Sequence, residues 1–81
     1  MYKLYMHVAL AVMNEEQQYD ISVLMLQGYF CLARHLLLYR VDRCYECGGI
    51  QFQTAAEYYN LLDVPRERVL NFPQRQEQAA C

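Results

Sequence analysis

Four side chains have the types and spacing to hold a metal ion. Cys44 and Cys47 are separated by two residues and followed by Gly48-Gly49, a turn that lets two thiolates converge. Cys31 and His35 stand one helical turn apart and supply a second pair on one helical face. Zinc takes four such ligands in a tetrahedron. A second Cys-x-x-Cys pair is missing, and bringing Cys44 back to Cys31 requires the chain to double back beside about two turns of helix. The plainer reading makes Cys31 a small core hydrophobe, His35 a hydrogen-bonded core or interface histidine, and Cys44 and Cys47 free thiols. Zinc is the one cofactor these residues point to; no other is expected. The chain has no Gly-rich phosphate loop, and Ser22 is its only serine. Glu15-Glu16 reads as a solvated helix start rather than an acid/base pair, and His7 as a surface histidine. A non-enzymatic protein is expected.

A second set of residues is suited to recognition. The sequence holds eight tyrosines, and arginine makes up all but one of its basic residues. Tyr and Arg anchor protein interfaces because each joins a large contact area to a polar tip. Tyr2, Tyr5, Tyr58, Tyr59, Arg66 and Arg68 are the candidate partner-binding residues. The composition is 56% hydrophobic in 81 residues, whereas a chain of this size buries only about 60% of its unfolded surface. That surplus predicts a twofold homodimer that binds a further protein as a small regulator, adaptor or inhibitor. The general character suits an accessory protein of a phage or mobile element. A net charge of −2 supplies no long-range attraction to nucleic acid or acidic lipid. Ala9-Leu10-Ala11 lies too close to Met1 for a full signal peptide to precede it. Reduced thiols and a cytoplasmic location are expected.

The elements that position these residues are organised around Tyr19 to Val41. At helical spacing Val23, Leu26, Phe30, Ala33 and Leu37 form one apolar stripe, and Met25, Tyr29, Leu32, Leu36 and Tyr39 form a second. One long helix over 15–43 is predicted, capped by Asn14 with Gln17 reaching back and two carboxylates at the positive end of the dipole. Gly28 at its middle costs about 1 kcal/mol relative to Ala and points to a bend or a close helix approach. Gln27, Arg34 and His35 argue against a membrane span. Residues 1–13 alternate like a strand but are built from Leu, Met and Ala, so helix is preferred and strand stays open. Cys44 to Gly49 forms a loop. Thr54-Ala55-Ala56-Glu57 is a capping box that opens a helix reaching Leu62. Pro65 starts a last helix to about Asn71, and 73–81 reads as a frayed tail. The fold class is all-α: a single small domain around one long helix, with a helical hairpin over 54–72.

That hairpin resembles the helix-turn-helix of small bacterial and phage regulators. Thr54, Ala55, Ala56, Glu57, Leu61, Leu62, Val64, Arg66 and Val69 fall in register with the pattern. Tyr58 and Tyr59 stand where the family carries small residues, and Asp63 replaces its turn glycine. The resemblance implies that Arg66, Arg68 and Asn71 face the major groove, with Arg reading guanine and Asn adenine. A hairpin packed on the central helix is the preferred reading, and a DNA-binding regulator is the alternative.

Overall fold

In a computed structural model the chain is described over residues 1–70. The all-α expectation holds. Five helices follow in order, α1 (Tyr2–Val12), α2 (Glu15–Leu26), α3 (Phe30–Glu46), α4 (Phe52–Leu61) and α5 (Arg66–Leu70), with no strand among the described residues. Residues 1–13 therefore resolve to helix. The reason is visible in the buried set: Tyr5, Val8, Ala9 and Val12 recur at i, i+3, i+4 and i+7, a helical period that draws on both halves of the apparent alternation. Met13 leads straight into the capping box of α2. Asn14 N–H donates to Gln17 Oε1 at 3.0 Å, and Gln17 N–H returns to Asn14 Oδ1 at 2.8 Å.

The single helix expected over 15–43 is two helices. Gln27 is still right-handed, but Gly28 has φ +87 and Tyr29 leaves helical geometry. Gly28 N–H donates to Met25 O at 3.0 Å and Tyr29 N–H to Leu24 O at 2.9 Å, which together make a Schellman C-cap. A Cβ added at Gly28 meets nothing within 4 Å. Its backbone conformation, not a close helix approach, is what calls for glycine.

The same device recurs twice. Gly48 (φ +82) caps α3, with Gly48 N–H to Tyr45 O at 3.1 Å and Gly49 N–H to Cys44 O at 2.8 Å. The loop expected from Cys44 thus starts at Cys47, because α3 continues through Tyr45, a buried residue that carries its core stripe another turn. At the end of α4 the left-handed position is filled by Asp63 (φ 61), with Asp63 N–H to Asn60 O at 3.1 Å and Val64 N–H to Tyr59 O at 2.9 Å.

The predicted start of α4 is corrected as well. The helix begins at Phe52 after an extended Gln51, with no side-chain cap, so Thr54 lies within the first turn. Packing of Phe52 against Tyr45, with ring centroids 5.9 Å apart, extends the helix past the local capping signal. The core gathers one stripe from each of the first four helices, and α1 and α3 each pack against three others. Ala9, Ala33 and Ala55 have no exposed surface, and these small side chains let α1, α3 and α4 approach one another. Two arginines of α3 serve helix ends elsewhere. Arg34 donates from Nε to Leu62 O at 2.5 Å and from Nη2 to Asp63 O at 3.2 Å, and Arg40 Nε makes a longer contact to Val12 O at 3.4 Å. Their charge sits at the negative ends of α4 and α1, where carbonyls lack intrahelical donors. No helix among the described residues is long and apolar enough to cross a membrane.

Candidate protein-interaction surface

The two pairs of metal ligands proposed from spacing are kept apart, and Cys47, read as a free thiol or a ligand, is disulfide-bonded. Cys31 and His35 lie exposed at the start of α3, whereas Cys44 is half-buried near its end. Thirteen residues of unbroken helix place Cys31 and Cys44 about 20 Å apart along the axis. The Cys44 thiol points instead at Val12 O, 3.9 Å away. The doubling back that a shared ion requires is prevented by the continuation of α3 to Glu46. Among the described residues no group of three or more His, Cys, Asp and Glu is placed to hold a metal ion.

The tyrosines divide by burial. Tyr5 and Tyr59 belong to the core and present no contact surface to a partner. Burial raises the pKa of the Tyr5 hydroxyl above its ordinary value. Burial does the same at Tyr59, whose hydroxyl donates to the Asp42 carboxylate, a bond that raises it further. Tyr58 is half-buried and meets the ring of His7 edge-on, with centroids 6.1 Å apart. Tyr2 is exposed and shares a hydrogen bond of 2.9 Å with Ser22 Oγ. Arg68 is exposed in α5, which also holds Arg66; Asn71 lies outside the described residues. The two adjacent tyrosines of α4 thus play different parts, as their positions a helical 100° apart require.

Among the described residues, exposed large apolar side chains are most numerous along α3 and its N-cap Tyr29. Its buried residues Ala33, Leu37, Val41 and Tyr45 define the inward face. On the opposite side Tyr29, Leu32, Leu36 and Tyr39 are 58, 48, 37 and 57% exposed. Taking about 200 Å² for each whole side chain, they leave on the order of 400 Å² of apolar surface open to water. This is most of the second stripe read from the sequence; the break at Gly28 separates it from Met25, which is buried. Beside it lies a groove of about 270 Å³, lined by Asp20 and Ile21 from α2 and by Leu36, Tyr39 and Arg40 from α3. Such an arrangement sets an apolar strip beside one carboxylate and one guanidinium at its edge. Comparison with known proteins finds no matching family model, no matching curated protein and no matching solved structure.

Proposed function

We propose that this protein is a small non-enzymatic binding module that acts by protein–protein contact, as a homodimeric regulator, adaptor or inhibitor. The observation that carries this reading is the outward face of α3, where Leu32, Leu36 and the two tyrosines stay exposed although the chain has already assembled a core. An apolar strip of a few hundred Å² is the size of the largest patch on an ordinary monomer, a patch that is often functional, and its place beside a polar-edged groove supports the reading. Tyr2 and Arg68 are further exposed anchors. Specificity comes from Asp20 and Arg40 at the groove, and affinity from the rings and leucines.

The test compares capture of proteins from lysate by the immobilised wild type and by Leu36→Glu. A partner retained by the wild type and lost with the variant supports the reading. Equal capture by both removes the α3 face from it. A salt titration with random duplex DNA serves the helix-turn-helix alternative. Binding at low salt that falls steeply as salt rises would favour it, because counterion release sets that slope.

A further inference from the structure

Part of the exposed face of α3, taken with its N-cap Tyr29, follows a coiled-coil spacing, with Phe30, Cys31 and His35 exposed beside it. Tyr29, Leu32, Leu36 and Tyr39 lie at i, i+3, i+7 and i+10, the alternating three-and-four step of a coiled-coil seam. The buried residues of the same helix instead step by four, from Ala33 through Leu37 and Val41 to Tyr45. One helix therefore carries two interfaces, one filled by its own chain and one open. A seam of this period is matched by another helix with the same period. We infer that it is filled by α3 of a second copy, packed antiparallel about a twofold axis between Leu32 and Leu36. Leu32 then meets Leu36 of the second copy, and Tyr29 meets Tyr39. This inference rests on the reading of the α3 face as a protein-binding surface and names its occupant.

Charge decides the direction. Arg43 and Glu46 continue the same three-and-four step beyond Tyr39. A parallel pair in register would set Arg43 against Arg43 and Glu46 against Glu46 in successive layers, and like charges in facing positions repel. The antiparallel pair sends these charges to opposite outer ends, leaving four layers that are apolar or aromatic throughout. It also aligns the helix dipoles favourably. With on the order of 400 Å² of apolar surface from each copy, the contact buries about 800 Å² of apolar surface in total, in the range of weak, transient interfaces. A reversible dimer whose population depends on concentration is the consequence.

Sedimentation equilibrium of the full chain over micromolar to millimolar concentration tests it, with circular dichroism to check that each variant is folded. The wild type is expected to shift from monomer to dimer, and Leu36→Glu to weaken that shift by at least about tenfold, since a carboxylate then faces an apolar layer. Tyr29→Glu and Tyr39→Lys, each alone, weaken it too. The double variant Tyr29→Glu/Tyr39→Lys recovers it, because the antiparallel register sets each Glu opposite a Lys. A double variant weaker than either single one overturns the antiparallel register, and a dimer insensitive to Leu36→Glu overturns the interface. A wild type that stays monomeric at millimolar concentration overturns self-pairing altogether. Leu36-dependent capture of another protein would in that case leave the broader binding reading standing.

Discussion

The Tyr59 hydroxyl donates to the Asp42 carboxylate and so ties α4 to α3 at the margin of the core. The donor must be neutral for this bond to exist. Ionising it would place two negative charges in contact in a buried site. Burial first, then the bond to Asp42, raise the Tyr59 pKa far above the ordinary tyrosine value.

The pH dependence follows with a definite sign. Below about pH 10 both folded and unfolded chains carry the Tyr59 proton, and its stabilising contribution is fully present. Above that, the unfolded chain releases the proton while the folded chain retains it, so stability falls by up to about 1.4 kcal/mol per pH unit for this one group. The raised Tyr5 pKa acts in the same direction. Denaturant midpoints measured from pH 8 to 11 should drop steeply beyond 10, and Tyr59→Phe should make that limb shallower. At neutral pH the same variant leaves Asp42 without its donor and should cost about 2 kcal/mol.

Gly28 and Asp63 occupy equivalent left-handed positions with φ of 87 and 61, and substitutions there should have opposite signs. Gly28→Ala meets no steric obstacle and yet should destabilise by about 1–2 kcal/mol, the strain of an L-residue in that conformation. Asp63→Gly relieves part of the same strain and should stabilise by roughly 0.5 kcal/mol after the extra chain entropy of glycine is counted. Thermal melts of the two variants beside the wild type read this directly; a Gly28→Ala protein as stable as its parent would mean that α2 and α3 are not divided by this turn.

Arg34 closes α4 from outside that helix, through two bonds to Leu62 O and Asp63 O. Arg34→Ala should cost about 2 kcal/mol, the upper range for charged hydrogen bonds that are partly buried. Arg34→Lys should regain less than half, because a single ammonium group lacks the planar fork that reaches both carbonyls. Hydrogen exchange offers a local check: amides in the last turn of α4 should lose protection before those of α1.

The cysteines of α3 should differ in reactivity. Cys31 is exposed, whereas Cys44 is half-buried with its thiol against Val12 O. An alkylating reagent applied to the native protein and mapped by mass spectrometry should modify Cys31 first, with Cys44 at least about tenfold slower. Comparable rates would show that the junction of α1 and α2 does not cover Cys44.

Much of the secondary structure is written in short-range signals. The Asn14–Gln17 box, the apolar period of Tyr5 to Val12 and the break at Asp63-Val64-Pro65 each act within a few residues, and each appears where local chemistry requires. The stripe of Leu32, Leu36 and Tyr39 was equally legible, since a 3.6-residue period projects it whatever the neighbours do, but that it faces outward was not. The metal and tyrosine assignments needed more than spacing. Cys31 and Cys44 are separated by a helix whose end the sequence marks only weakly, and Tyr58 and Tyr59 differ only in which side of α4 the core lies on.

By itself, then, the sequence determined that the chain is mostly helical, where α2 and α5 begin, and that its apolar surface exceeds what one small core consumes. Tertiary structure decided what Gly28 does. A glycine within a helical pattern can be tolerated or can end the helix, and the local free-energy difference is only about 1 kcal/mol. Folding back at Gly28 brings both α2 and α3 against α1, with Ile21 and Met25 from one side of the turn and Leu37 and Val41 from the other in the shared core. Burying four such side chains contributes several kcal/mol, which outweighs the helical continuity lost at the turn.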